Sequence, residues 1–156
     1  MNLEIRQARK DDVQSILNCL AAAFAPYSAL YTRDALADTV LDVCRLQERM
    51  QKMHILVAVS DGEIIGTVSG AVSESGEGHL RGMAVFPQYT GTGVAAQLLN
   101  VIESWLRQRG CTRVTLDTTL PLRAAMRFYQ KHGYLRSDRV SDFFGMRLVE
   151  YVKQLG

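Results

Sequence analysis

The sequence has few cysteines, and they are poorly placed for a disulfide framework or a metal site. Cys19, Cys44 and Cys111 are odd in number, widely spaced and include no CxxC pair. Small disulfide scaffolds and structural zinc sites both need paired or clustered cysteines. We therefore expect no structural disulfide and no metal, and a reducing, cytoplasmic environment fits the chain best.

The sequence also lacks an excess of charge of one sign and long apolar runs. Eighteen Lys and Arg residues against 16 Asp and Glu leave a formal charge of +2, with no basic block long enough to follow nucleic acid. The first ten residues carry charges and no apolar signal segment, and no later stretch approaches the roughly 18 apolar residues of a membrane span. We expect neither a nucleic-acid partner nor a membrane.

The size and spacing of the chain favour one domain. A length of 156 residues with 47% hydrophobic residues is enough to fill a single core. No internal repeat and no low-complexity linker divides the sequence. We expect a single domain over residues 1–156.

Hydrophobic periodicity predicts a mixed α/β fold. The order is strand, two helices, three strands, helix, strand, helix and two strands, with the second helix running from about Asp34 to Lys52. An Asp61-Gly62 turn between β-rich runs predicts a hairpin. A strand–helix–strand unit from Leu80 to Thr118 implies a parallel pair with a right-handed crossover. We expect a central mixed, mostly antiparallel sheet of about six to seven strands, flanked by about four helices.

A glycine-containing turn joins a predicted strand over residues 79–86 to a predicted helix over residues 94–109. The first N–H groups of a helix lack partners and carry a partial positive charge, so Gly91 and Gly93 allow a phosphate to approach them. The dinucleotide motif GxGxxG is not met because Ala96 stands at its third glycine, and a Walker lysine is absent. The turn predicts an anion site, and a merely structural tight turn is the alternative.

The turn and a second segment resemble the GCN5-related N-acetyltransferases. The family motif of Gln or Arg, two residues, Gly, one residue, and Gly or Ala is met by Gln88 to Gly93. Residues 83–87 resemble the family's fourth strand, and residues 125–134 resemble its second signature. The resemblance is strong over residues 80–134 and implies transfer of an acetyl group from acetyl-CoA to a primary amine by direct attack through a tetrahedral intermediate. It also implies a splay between the fourth and fifth strands.

The resemblance further implies which residues bind coenzyme A. The main chain of Met83 and Val85 would pair with the pantetheine arm, and an N–H near Ala84 or Val85 would face the thioester oxygen. Gly82, inside the strand, is compatible with the bulge that opens the family's wedge. The expected contacts are Met83, Ala84, Val85, Gln88, Tyr89, Thr90, Gly91, Thr92, Gly93, Val94, Ala95, Phe128 and Tyr129.

Two proton transfers have candidate residues. Tyr129 matches the family's general acid, and its reference pKa of about 10 lies above the value of about 8.5 for a thiol, so it stays protonated at neutral pH. A purely structural core tyrosine is the alternative. Glu77 and His79, at the start of the fourth strand, are candidate bases that act directly or through water, and a water chain without a dedicated base is also open.

The sequence departs from the family pattern at the turn. Thr90 and Thr92 stand where the family often has basic residues, so main-chain N–H groups and threonine hydroxyls are expected to hold the pyrophosphate. Arg123 and Arg127 are candidates for additional positive charge. Leu122 stands where the second signature often carries Asn, which removes one expected contact near the pantetheine.

The acceptor side is less defined. Phe24, Tyr27 and Tyr31 form an aromatic cluster around the Pro26 break, and they are expected either to bind the acceptor or simply to cover the sheet. A small molecule, a peptide N-terminus and a protein lysine all stay open as acceptors.

Two other functions and an oligomeric state are also open. The chain would be a non-catalytic acyl-CoA sensor or regulatory module if the pocket bound acyl-CoA without turnover. Alternatively, the turn would bind another phosphate ligand such as a nucleotide. The last predicted strand, Phe143 to Val149, is a candidate for pairing across a homodimer.

Overall fold

The computed structural model describes residues 2–156 and contains one seven-stranded sheet of order β1-β2-β3-β4-β5-β7-β6. The strands are β1 (Leu3–Gln7), β2 (His54–Ser60), β3 (Glu63–Val72), β4 (Gly78–Val85), β5 (Arg113–Thr119), β6 (Leu135–Phe143) and β7 (Met146–Gln154). The α-helices are α1 (Val13–Phe24), α2 (Arg33–Thr39), α3 (Val43–Lys52), α4 (Val94–Gln108) and α5 (Arg123–Lys131). Only β4 and β5 pair in parallel, and the other five pairings are antiparallel, so the predicted mixed, mostly antiparallel sheet is confirmed.

The predicted second helix is two helices. Its span from Asp34 to Lys52 is interrupted between Thr39 and Val43. The Asp42 side chain accepts a hydrogen bond from the Arg45 backbone N–H at 2.8 Å and thereby caps the start of α3. Local capping therefore ends one helix and begins another, and the described residues form five α-helices where about four were expected.

The last predicted strand is also wrong in its limits. Phe143 ends β6, a turn at Phe144 and Gly145 follows, and Met146 begins β7. Strand β7 pairs with β5 on one side and β6 on the other, so it has no free edge for a partner subunit. The outer strand at this end of the sheet is β6.

Helices cover both faces of the sheet. On one face, α1 and α3 bury Ile16, Leu20 and Leu46 against the sheet, and on the other face α4 buries a row of apolar side chains. Helix α4 lies very close to the strands, because a Cβ on Gly70 would come within 2.7 Å of the Ile102 side chain. This close packing fixes the N-terminus of α4, which bears the predicted anion site.

The first helical run of the chain is unusually apolar. The continuous run Lys10–Leu30 is long and apolar enough to cross a membrane by length and composition alone, contrary to the expectation from the sequence. Its central part, α1, places Ile16, Leu17, Cys19 and Leu20 in the core against the sheet. Of the 18-residue window that meets this test of length and composition, 22% is buried inside the structure.

The sheet opens between β4 and β5, as the resemblance implied. The two strands pair only from Gly78 to Leu80 and separate beyond that point. The register between β3 and β4 shifts after Arg81, where Gly82 adopts a positive φ of 68°. Glycine takes this conformation at little cost, so it allows the bulge that turns the rest of β4 away from β5.

A buried carboxylate ties α4 to the last strand beneath this opening. Glu103 is 2% exposed and accepts hydrogen bonds from the Tyr134 hydroxyl at 2.7 Å and from Lys153 Nζ at 2.9 Å. Burial and the neighbouring Glu103 raise the pKa of Tyr134, so the phenol keeps its proton and donates. The Tyr134 ring packs 5.5 Å from the ring of Tyr129, between centroids, and so supports a predicted site residue.

Replacing Lys153 with alanine is expected to lower the free energy of unfolding by about 2–4 kcal/mol, because it leaves the buried Glu103 carboxylate without its counter-charge. Urea unfolding measures this change. Arg107→Ala is the control: that guanidinium is exposed and 4.0 Å from the same carboxylate, so we expect a loss below about 1 kcal/mol. Equal losses in the two variants would contradict the assigned role of Lys153.

Candidate active site

The opening between β4 and β5 contains a cavity of about 550 Å³, here called the wedge cavity. Its walls come from the end of α1, the open edge of β4, the turn before α4, the end of β5 and the helix α5. The predicted site residues that line it are Phe24, Tyr27, Met83, Ala84, Val85, Tyr89, Thr90, Gly91, Gly93, Val94, Ala95, Phe128 and Tyr129. The structure therefore brings most of the residues expected to contact coenzyme A to one cavity.

The turn before α4 presents main-chain N–H groups at the mouth of this cavity. Gly91 and Gly93 both have positive φ, 80° and 90°, and Gly93 is the residue that precedes the helix. The first N–H of α4 to bond within the helix is that of Gln97, which donates to the Gly93 carbonyl at 3.1 Å. The N–H groups of Val94 and Ala95 precede that bond and are available to an anion.

Thr92 and Gln88, two residues of the turn that were expected to contact the cofactor, do not line the wedge cavity. The Thr92 hydroxyl donates to the Tyr89 carbonyl within the turn itself, and a hydroxyl has only one proton to donate. In this conformation the Thr92 hydroxyl has no proton free for a phosphate, and its expected contact with the cofactor stays a prediction. Gln88 is exposed and does not line the wedge cavity, and neither does Thr92.

Positive charge reaches the wedge cavity from α5, but not from the arginines that were expected. Lys131 and His132 line the cavity at the end of α5, whereas Arg123 and Arg127 do not. The His132 ring packs against Phe128 with 4.5 Å between centroids. Lys131 is thus the cationic residue of α5 that lines the wedge cavity.

Tyr129 points into the wedge cavity from α5. The residue is 7% exposed, and its ring makes edge contacts with Phe128 and Tyr134 at 5.4 and 5.5 Å between centroids. Burial raises the pKa of its hydroxyl, and no group among residues 2–156 hydrogen-bonds to it. The hydroxyl therefore keeps its proton at neutral pH and has that proton available for a ligand.

The open edge of β4 supplies further donors. The Phe86 N–H donates to the Ile65 carbonyl of β3 at 2.9 Å. Successive N–H groups along a strand point to opposite sides, so the Val85 N–H points away from β3 and towards the opening. Because β5 has separated at this point, that edge is free to pair with an extended ligand.

A second cavity of about 290 Å³, here called the charged cavity, adjoins the first. It is lined by Phe24, Tyr31, Asp38, Thr39, Arg49, His79, Leu80, Arg81, Gly82, Asp117, Thr118, Thr119, Leu122, Phe143 and Leu148. Seven of these also line the wedge cavity: Phe24, Leu80, Arg81, Gly82, Asp117, Thr118 and Leu122. The two cavities therefore meet at the bulge of β4 and the end of β5.

His79 and Asp117 face each other across the strand pair at this meeting point. His79 Nε2 lies 4.0 Å from the Asp117 carboxylate, and its Nδ1 shares a hydrogen bond of 2.9 Å with the Thr115 hydroxyl. Burial lowers the pKa of His79, opposed in part by Asp117. Burial raises the pKa of Asp117, opposed in part by His79. At neutral pH the imidazole is therefore uncharged beside a carboxylate of increased basicity.

Arg49 is a buried charge in the wall of the charged cavity. The residue is 9% exposed, and burial together with Arg81 lowers its pKa to about 10, so it stays charged at neutral pH. Its Nη1 lies 2.7 Å from the position that a Cβ on Gly82 would occupy. Among residues 2–156 no group forms a hydrogen bond or ion pair with the Arg49 guanidinium, whereas neighbouring Arg81 is paired with Asp38 at 2.8 Å.

The candidate base Glu77 lies outside both cavities, whereas the three predicted acceptor residues line them. Glu77 forms an ion pair with Arg113 at the closed end of the β4–β5 pair and lines neither cavity. The placement of Glu77 does not favour a role as a base. Of the three predicted acceptor residues, Phe24 lines both cavities, Tyr27 the wedge cavity and Tyr31 the charged cavity. The Tyr31 hydroxyl is held by a 2.6 Å hydrogen bond to Thr119.

Asp117, Arg49 and Lys131 were missed from the sequence. Asp117 had a usable signal, since it lies at the carboxyl end of a predicted parallel strand, where ligands of α/β sheets commonly bind. Lys131 lies within the second signature, residues 125–134, but no role of its own was predicted for it from the sequence. Arg49 had no signal, because a charged residue on an amphipathic helix is normally solvated.

The structure combines a sheet that opens between β4 and β5 with a helix N-terminus, preceded by Gly93, beside that opening. The model of the acetyltransferase (GNAT) family matches residues 14–134. The chain therefore belongs to this family and is an N-acetyltransferase, so the resemblance drawn from the turn and the second signature is confirmed. Acetyl-CoA is the acetyl donor of the family.

Solved structures with the same fold cover nearly all of the chain. The PaiA N-acetyltransferase from Thermoplasma acidophilum, solved in complex with coenzyme A, is 18% identical with a TM-score of 0.83, and 99% of each chain is covered. A GNAT-family acetyltransferase from Staphylococcus aureus Mu50 is 15% identical with a TM-score of 0.82, covering 99% of this chain and 100% of that one. The ribosomal-protein-S18-alanine N-acetyltransferase from Escherichia coli is 14% identical with a TM-score of 0.80, covering 99% and 95%. At these identities the likeness establishes the fold alone.

Proposed function

We propose that this protein acetylates a primary amine held in the charged cavity, using acetyl-CoA held in the wedge cavity. The observation that carries this proposal is the meeting of the two cavities at the bulge of β4. Tyr129 lines the wedge cavity, and the His79–Asp117 pair lines the charged cavity. The cofactor fits the residues present: N–H groups of the turn for the pyrophosphate, the open edge of β4 for the pantetheine, and Lys131 for a phosphate.

The same residues account for the chemistry. The amine attacks the thioester carbonyl, whose developing negative charge receives a hydrogen bond from the Val85 N–H. The proton leaving the ammonium passes to the Asp117 carboxylate and its neighbour His79. As the carbon–sulfur bond breaks, the Tyr129 hydroxyl donates its proton to the thiolate. Each proton transfer therefore has a residue at the cavity wall.

The pH dependence of a His79→Gln variant is expected to report on the base. Burial and Arg81 keep the pKa of His79 below its ordinary value of about 6.5, so the imidazole is neutral and competent at pH 7. We expect the wild type to exceed the variant by about tenfold in kcat/KM at and above pH 7. This ratio should approach one as the pH falls through the lowered pKa of His79, where the wild-type imidazole takes up a proton.

The ratio is the useful quantity because the titration of the acceptor amine cancels from it. His54→Gln is the matched control: His54 is also partly buried, has a lowered pKa, and lines neither cavity. Its ratio should be near one at every pH. A wild-type to His79→Gln ratio that stays constant from pH 8 down to the lowest pH at which both proteins remain folded would contradict a role for His79 in proton transfer.

The contribution of Lys131 is testable by titration calorimetry of acetyl-CoA. Lys131→Ala is expected to weaken binding by about threefold to tenfold, because one exposed cation near a phosphate is worth roughly 1 kcal/mol. The difference should shrink at high salt. Arg127→Ala, on the same helix but outside the cavity, should bind acetyl-CoA like the wild type. A similar loss in both variants would indicate a general charge effect instead of a specific contact.

A screen of amines with acetyl-CoA, monitored by release of the free thiol, tests the proposed function. Release that requires both the amine and the enzyme, with the acetylated amine detected by mass spectrometry, supports it. Binding of acetyl-CoA without thiol release for any amine would favour the acyl-CoA sensor. A melting temperature raised by ATP and unchanged by acetyl-CoA would overturn both functions, because only a ligand of the native state stabilises it.

A further inference from the structure

Among residues 2–156, two groups that line the charged cavity, Arg49 and Asp117, form no close ion pair with a permanently charged side chain. Arg81 and Asp38 neutralise each other through their 2.8 Å ion pair. Asp117 faces the uncharged His79, and Arg49 has neither a hydrogen bond nor an ion pair among residues 2–156. After the internal pairs are removed, the cavity presents a carboxylate at one point and a guanidinium at another.

A buried guanidinium without a partner is costly for the protein. Taking an arginine out of water disfavours folding unless a partner or a ligand compensates for the lost hydration. Thr118 lines both cavities, and its hydroxyl oxygen is buried without a hydrogen-bond partner among the described residues. The unpaired Arg49 guanidinium is explained if a ligand in the charged cavity completes its hydrogen bonds.

We infer that the acceptor is a small amino acid-like molecule, in which Arg49 binds a carboxylate while the amine lies at Asp117. This inference rests on the proposed function and specifies its acceptor. Guanidinium groups bind carboxylates with two parallel hydrogen bonds, which gives both affinity and orientation. Because Asp38 and Asp117 line the same cavity, a monoanion is better accommodated than a dianionic phosphate.

The size of the cavity and the position of Gly82 agree with this assignment. A volume of about 290 Å³ is at the lower limit for ligand pockets, which fits one small molecule better than the side chain and backbone of a protein substrate. Gly82 lines both cavities, and its lack of a side chain leaves room for Arg49 Nη1. The carboxylate-binding group therefore lies next to the bulge at which acetyl transfer is proposed.

The test compares three forms of each acceptor: L-amino acids, their carboxamides, and the corresponding amines without the carboxylate. We expect kcat/KM for the acid to exceed that for either neutral form by about tenfold to a hundredfold, since hydrogen bonds to a charged group carry about 1.5–3 kcal/mol. Arg49→Gln should lose this preference by slowing the acid alone. Arg49→Lys should recover part of it, and Lys52→Gln, an exposed cation on the same helix, should retain all of it.

A binding measurement makes the inference independent of turnover. With coenzyme A present, an N-acetyl amino acid should raise the melting temperature of the wild type, and its carboxamide should not. Arg49→Gln should show no such shift while its own melting temperature is unchanged or higher, because a desolvated charge has been removed.

The outcomes separate the two proposals. Rapid acetylation of neutral amines, with no preference for the acid and no effect of Arg49→Gln, would overturn the carboxylate-bearing acceptor and leave the acetyltransferase function standing. If no amine releases thiol, the proposed function fails, and the melting shifts alone decide the inference. A carboxylate-dependent shift that Arg49→Gln abolishes supports it, and equal shifts for acid and carboxamide overturn it.

Discussion

Tyr129→Phe is expected to lower kcat by about a hundredfold or more, because the departing thiolate loses its positioned proton donor. The ring and its contacts with Phe128 and Tyr134 are retained, so the affinity for acetyl-CoA should change by less than about twofold. The melting temperature should also be unchanged, since the hydroxyl has no partner among residues 2–156. Steady-state kinetics with the best acceptor, together with calorimetry, distinguishes these effects.

Tyr151→Phe is the matched control for this substitution. Tyr151 is another buried tyrosine, 2% exposed, on β7, and it lines neither cavity. Its kcat should match that of the wild type. If Tyr129→Phe instead retains full kcat, the thiolate takes its proton from water, and Tyr129 serves only to pack the wall of the wedge cavity.

Gly82→Ala is expected to reduce kcat/KM for the amine by about tenfold to a hundredfold, because small displacements of positioning groups have effects of this size. Two costs combine at this position. The positive φ of 68° strains any residue with a side chain, and the new Cβ would come 2.7 Å from Arg49 Nη1. The guanidinium or the bulge must then move, and both lie where the two cavities meet.

Gly76→Ala separates these two costs. Gly76 has a positive φ of 86°, yet a Cβ there would have no atom within 4 Å. We expect both variants to lose about 1–2 kcal/mol in the free energy of unfolding from backbone strain, but only Gly82→Ala to lose activity. Equal activities in the two variants would show that the Arg49 contact has no role in the reaction.

Features that depend on local sequence were predictable. The anion site at α4 follows from a helix N-terminus preceded by Gly91 and Gly93, and both residues have the positive φ that favours glycine. The bulge at Gly82 is likewise confirmed, as is the parallel pairing of β4 with β5. The break at Asp42 was missed, because a single capping side chain outweighed a continuous helical pattern.

Features that depend on contacts between segments far apart in the sequence were not predictable. Lys131 and Arg127 lie on the same short helix, and only the packing of α5 decides that Lys131 reaches the wedge cavity. Glu77 and His79 are two residues apart, yet Glu77 is held by Arg113 outside both cavities while His79 faces Asp117 within one. In each case the neighbours that decide the outcome come from other elements.

The sequence by itself therefore determined the fold class, the family and the glycine-containing turn before α4, because periodicity, glycine conformation and helix ends act over a few residues. Only the tertiary structure decided how the acceptor side is built. It placed Arg49 of α3 against Gly82 of β4 and brought Asp117 of β5 opposite His79. Burial then altered the pKa of each of these titratable groups, and burial exists only once the chain has folded.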